Sequence, residues 1–147
     1  MNKIRKIILP VVILQWLLIY APIRAESKNF VVIVNKTNPI ESISLGELAG
    51  IYNGRKAEWD DGSEIAVVNR PADSQIRADF YKAVLGVEPT KKFFIPGTPL
   101  PFKTIVQESA KAAKLLVAKM PNAIGYIYAD EIDDSVKVIE VKGLSKP

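Results

Sequence analysis

The chain has 147 residues, enough for one domain. It contains no cysteine and no histidine, which excludes a disulfide framework, zinc sites built on those ligands, and Ser-His or Cys-His nucleophile pairs. The formal net charge of +4 comes from the first 25 residues, so composition gives no nucleic-acid footprint once they are set aside.

Those first residues read as an export signal. "MNKIRK" is a basic n-region, a long apolar run follows over residues 7–23, and "IRA" ends on the small residue Ala25. Cleavage after Ala25 is expected, because Pro10, Gln15 and Pro22 interrupt the apolar run. The competing reading is an uncleaved anchor, since the run approaches spanning length. Lys3, Arg5, Lys6 and Arg24 leave with the segment and no acid does, so 20 basic residues fall to 16, against 16 acids. Without a cysteine there is no lipid-attachment site at the junction, and the periplasm is the expected compartment, with secretion as the alternative. No membrane span is expected after cleavage.

Residues 26–147 read as one domain. "FVVIV", residues 30–34, has the continuous β-branched character of a strand buried on both faces. "NKTNPIES" is a loop. Ser44 with Glu47 fits a capping box, and Leu45, Leu48, Ile51 and Tyr52 follow at helical spacing until Asn53-Gly54. "WDDGS" is a turn before a second buried strand, expected over 65–68. Asp73 or Ser74 caps a second helix, with Ile76, Phe80, Ala83 and Val84 on one face and Gly86 at its end. A Pro-rich stretch over 87–103 is long for a loop, and such loops are often lids or contact surfaces. Residues 104–106 could form a brief strand. Ser109 caps a third helix through Met120. Strands are expected over 123–128 and 136–141, with a turn at "ADEIDD" between them. Strands alternating with helices argue for a three-layer α/β domain with a mostly parallel sheet.

Several pieces in this order resemble the periplasmic phosphate-binding proteins of bacterial ABC phosphate importers. They are the apolar first strand, Asn38-Pro39, Leu45 and Leu48, the Tyr52-Gly54-Arg55-Trp59 turn, a strand ending in Asn69-Arg70, and "MPNAIGYIYADEI" with "VKVIEVKGL" after it. The resemblance covers residues 30–144 and implies a single lobe of a type II periplasmic-binding-protein-like fold, matching the family's second lobe and its hinge strands. It further implies phosphate or another small oxyanion as ligand, an ABC transporter or another envelope protein as partner, no catalysis and no cofactor.

The same resemblance points to the loop "RPADSQIR". The family reads Arg-x-x-Gly-Ser-Gly-Thr there, often followed by Arg. Arg70, Ser74 and Arg77 match, whereas Asp73 and Gln75 replace glycines and Ile76 replaces the threonine ligand. A strand, an arginine and a helix N-terminus can cradle an anion, because the first helical amides are unpaired and the dipole is positive there. Asp73 opposes this, since its carboxylate would take the same amides, repel a phosphate and offer Arg70 a partner. Arg70, Ser74, Gln75 and Arg77 are therefore the candidate anion-binding residues of a weakened half-site. The competing reading of the residues is an ordinary helix cap flanked by solvated arginines.

Other features are less directive. Asp130, Glu131, Asp133 and Asp134 lack the spacing of a calcium loop and read as a solvated turn. Phe93 and Phe94 fit a docking surface or the core equally well. Tyr126 and Tyr128 share one face of their strand, so one face is expected in the core and the other on the cleft. A carboxylate hydrolase ranks behind the binding readings because no pair of acids stands out. Two functions stay in competition: a solute-binding domain of the phosphate type, possibly serving ABC import, and an envelope interaction protein that has lost ligand binding and docks a partner protein.

Overall fold

The computed structural model describes residues 28–145. The expected signal segment over 1–25, and its cleavage point, lie outside them. In chain order the elements are β1 (Phe30–Val34), β2 (Ser42–Ser44), α1 (Leu45–Tyr52), β3 (Ala66–Asn69), α2 (Gln75–Phe80) running into a π-helical turn (Tyr81–Leu85), β4 (Ile105–Val106), α3 (Ala110–Lys119), β5 (Ala123–Tyr128), a 3-10 turn (Ala129–Glu131) and β6 (Lys137–Lys142). One sheet takes the order β2-β6-β1-β5-β3-β4. Its pairings of β2 with β6, and of β3 with β4 and β5, are parallel, while β1 runs antiparallel to β5 and β6. The sheet is thus mostly parallel, with one reversed strand near its centre.

Alternation along the central strands builds two cores, because successive side chains point to opposite faces. Val32 and Val34 of β1 and Ile124 and Tyr126 of β5 pack with Leu48, Ile51 and Tyr52 of α1 and Ile76 and Phe80 of α2. Ile33 and Ile127 face the other way, onto Ala113 and Val117 of α3. The result is the expected three-layer α/β arrangement. Phe80 stacks on Tyr126 with ring centroids 3.9 Å apart, and Tyr52 meets Phe80 edge-on at 4.6 Å. Tyr126 and Ile127 are both buried, so neither face of β5 borders a cleft, and only the strand end at Tyr128 is half-exposed.

The caps form where the sequence puts them. Ser44 Oγ accepts from the Glu47 amide, and Ser109 Oγ from the Ala112 amide. Three details differ. Strand β2 occupies a stretch read as loop and cap, pairing with β6 through its backbone. Strands β3 and β6 each begin one residue later than expected. Ala83 is exposed rather than inward-facing, while Tyr81 and Val84 are buried. The wider π turn places fewer degrees between successive residues than an α-helix does, which rotates Ala83 off the core face.

The Pro-rich stretch folds as a tight hairpin. The Phe102 amide donates to the Phe93 carbonyl at 2.7 Å, and Phe94 bridges to Pro101. At the tip the Thr98 amide donates to the Ile95 carbonyl, with Gly97 at φ 84°. That is the geometry of a type II turn over Ile95-Pro96-Gly97-Thr98. Phe93 and Phe102 pack against the core at the base. Phe102 lies directly on Gly54, where a Cβ would come within 2.9 Å of its ring.

Candidate functional site

Because β3, β4 and β5 run parallel, their C-terminal ends and the N-terminal ends of α2 and α3 gather at one edge of the sheet. In open α/β sheets this is the edge where ligands bind. Arg70 leaves β3 at that edge. Its backbone amide donates to Asn69 Oδ1 at 2.9 Å and to the Tyr126 hydroxyl at 3.3 Å. Asn69 is fixed in turn by the hydroxyls of Tyr81 and Tyr126. Burial pushes the Tyr126 hydroxyl well above the ordinary tyrosine range, so it stays protonated and keeps donating.

Arg70 is only 8% exposed. Nε donates to the Gln107 carbonyl at 2.9 Å and Nη2 to the Glu108 carbonyl at 3.1 Å. Both acceptors lie in the segment joining β4 to α3. Nη1 has no protein partner among the described residues. The one buried side-chain nitrogen or oxygen there without a partner is Arg77 Nε, so Arg70 Nη1 reaches solvent with its donors free. The guanidinium is clamped on one side and available on the other.

Asp73 is exposed and forms no ion pair with Arg70 among the described residues. It does not cap α2 either. Ser74 is the N-cap, yet its hydroxyl donates to the Pro71 carbonyl at 2.6 Å and satisfies no helical amide. Gln75 Nε2 donates to Asp79 Oδ1 at 2.8 Å, and the Tyr128 hydroxyl donates to Asp79 Oδ2 at 3.1 Å. Burial and the Asp79 carboxylate push the Tyr128 hydroxyl up to about 12. Ile76, at the threonine ligand's position in the family pattern, is 3% exposed and packs into the core instead of facing the loop mouth.

Arg77 takes a different course from Arg70. Its Nη1 donates to the Arg70 carbonyl at 2.9 Å, and its guanidinium lies over the Tyr81 ring at 4.6 Å. It lines a hollow of about 300 Å³ together with Lys91, Lys92 and Phe93. Of the four candidate residues, Arg70, Ser74 and Gln75 stand around the end of β3 and the start of α2, while Arg77 braces the loop from behind. The carbonyls of Gln107 and Glu108 and the Tyr128–Asp79 pair carried no signal of a role in the sequence. Among the described residues, no group of acids is placed to hold a metal ion, and no helix is long and apolar enough to cross a membrane.

Known proteins share this fold. A family model for the PBP superfamily domain matches residues 24–145. The chain is 31% identical over 117 residues to the phosphate-binding protein PstS of Bacillus subtilis, covering 76% of this chain and 35% of that protein. An ABC-type phosphate transport receptor from Vibrio cholerae superposes with a TM-score of 0.65 at 27% identity, over 80% of this chain and 48% of that one. A putative phosphate ABC transporter substrate-binding protein from Clostridium perfringens, with bound phosphate, gives 0.63 at 27% identity, over 80% of this chain and 46% of that one. The chain spans about a third to a half of the length of these relatives.

Proposed function

The chain belongs to the PBP superfamily, and on that footing we propose that it presents one lobe's share of a phosphate or related oxyanion site, acts as an exported periplasmic solute-binding domain, and performs no catalysis. The observation that carries this reading is Arg70: a nearly buried guanidinium, held by two backbone carbonyls, that keeps Nη1 free at the ligand edge of the sheet. A clamped arginine loses little freedom on binding and offers an oxyanion a charge-assisted hydrogen bond. The uncapped amides that open α2 after Ser74 add donors beside it. Asp73 and Asp79 add opposing charge.

The balance sets the affinity. Two charge-assisted hydrogen bonds at about 1.5–3 kcal/mol each, set against the cost of association, leave binding no tighter than millimolar. Delivery of that oxyanion to an ABC importer is the physiological role this reading assigns, and a second lobe would tighten the site by supplying the remaining ligands. Isothermal titration with phosphate, sulfate and other oxyanions tests it: weak heats that disappear in Arg70→Ala support it, and heats indifferent to Arg70 reject it. The alternative, an envelope interaction domain, is favoured by one feature: the exposed hairpin of residues 93–102.

A further inference from the structure

Residues 91–103 contain three lysines and no acid, and the hairpin sorts them by depth. Phe93 and Phe102 turn inward onto the core. Phe94 and Leu100 turn outward and are 57% and 62% exposed, with Ile95 beside them also exposed. Lys91, Lys92 and Lys103 stand behind this apex on both legs, all exposed, and none is in an ion pair among the described residues. The apex is also tied by hydrogen bonds. The Phe102–Phe93 hydrogen bond closes the base, and Thr98 Oγ1 lies 3.0 Å from both the Ile95 and Leu100 carbonyls, so its single proton ties the turn through either one. Large apolar side chains are therefore held in water by a preformed turn.

We propose that this hairpin is a contact finger for an anionic bilayer surface, with Phe94, Ile95 and Leu100 entering the interface and the three lysines meeting lipid phosphates. A convex apolar tip with a basic collar one layer behind matches the order in which a bilayer presents its surfaces, hydrocarbon beneath and anionic headgroups above. It needs no shape-matched groove, unlike docking into an acidic-rimmed pocket on another protein. Glu64 shares a hollow with Ile95 and Lys103, and it leaves the collar with a net positive charge.

The cysteine-free sequence allows a single-site test on the full chain. Leu100→Cys carrying an environment-sensitive fluorophore reads the hairpin itself, and the same label at Leu115→Cys, exposed on α3, reports binding by any other segment, including the apolar run at 7–23. The label at 100 is expected to brighten and shift to the blue with vesicles of mixed phosphatidylglycerol and phosphatidylcholine, and to stay unchanged with phosphatidylcholine alone. The label at 115 stays unchanged with both. Lys91→Glu with Lys92→Glu weakens the response at 100 by at least about tenfold in lipid concentration. An unchanged label at 100 in anionic vesicles, equal responses at 100 and 115, or a response indifferent to the lysine reversals overturns the proposal. So does a label that responds to an acidic protein but not to vesicles.

Discussion

Arg77 Nη1 donates to the backbone carbonyl of Arg70 at 2.9 Å, so the second arginine of the loop is committed to holding the first in place. The pair divides the work: Arg70 faces the ligand edge, and Arg77 fastens the turn while covering the Tyr81 ring. Arg77→Ala removes a charge-assisted hydrogen bond and a cation–π contact, and should lower stability by about 2 kcal/mol. Oxyanion affinity should fall less in Arg77→Ala than in Arg70→Ala. Urea unfolding beside a phosphate titration of both variants checks this.

Asp73 and Ile76 depart from the family's loop pattern in different ways. Asp73 is exposed, and no hydrogen bond of its carboxylate is seen among the described residues. Asp73→Gly should remove about 1 kcal/mol of repulsion and tighten oxyanion binding about fivefold, with little change in stability. Ile76 is buried in the core. Ile76→Thr would bury a hydroxyl among apolar neighbours and should cost about 1–3 kcal/mol in stability without adding a ligand donor. Titration and thermal unfolding of the two single variants separate the effects.

Gly54 matters for the hairpin. It sits at φ 80°, and a Cβ there would approach the Phe102 ring to 2.9 Å. Gly54→Ala should cost about 1–3 kcal/mol, combining a left-handed backbone with a displaced aromatic anchor. The loss should be accompanied by faster proteolysis within residues 93–102, since Phe102 holds the base of the hairpin. A variant as stable and as protease-resistant as the parent would show that Phe102 is not the anchor.

Much of this arrangement was legible in the sequence. The runs at 30–34 and 123–128 became strands at those bounds, and Ser44 and Ser109 cap the helices they precede. Strand β2 was hidden because three residues, Ser42-Ile43-Ser44, are too few to show periodicity, and its pairing with β6 is a backbone matter. The π turn after Phe80 was hidden because its hydrophobic positions also fit an α-helix. At the site, Arg70 could be picked out from the strand–loop–helix order together with the family resemblance. Its holders could not, because Gln107 and Glu108 act through backbone carbonyls that any residue provides, more than thirty positions away along the chain.

Alkaline pH probes the edge at Tyr128. An unfolded tyrosine titrates at about 10, and the folded Tyr128 hydroxyl is pushed up to about 12. The folded state therefore holds its proton longer. This contribution to stability is fully present below about pH 10 and is lost as pH rises through about 12. Tyr128→Phe should make the fall in stability across that window shallower. It should not abolish it, because burial also raises Tyr52 and Tyr126. Urea unfolding at a series of pH values, with absorbance titration of the tyrosinates, checks the prediction.

The central claim, an oxyanion half-site built on the free side of Arg70, is tested most directly by nuclear magnetic resonance titration of the full chain with inorganic phosphate. The account predicts saturable shifts in the millimolar range at the Arg70 guanidinium and the amides of Ser74 and Gln75. These shifts should be weakened in Arg70→Lys, which keeps the charge but not the fork, and absent in Arg70→Ala. No saturable shift at these groups, or the same shifts in Arg70→Ala, would contradict it.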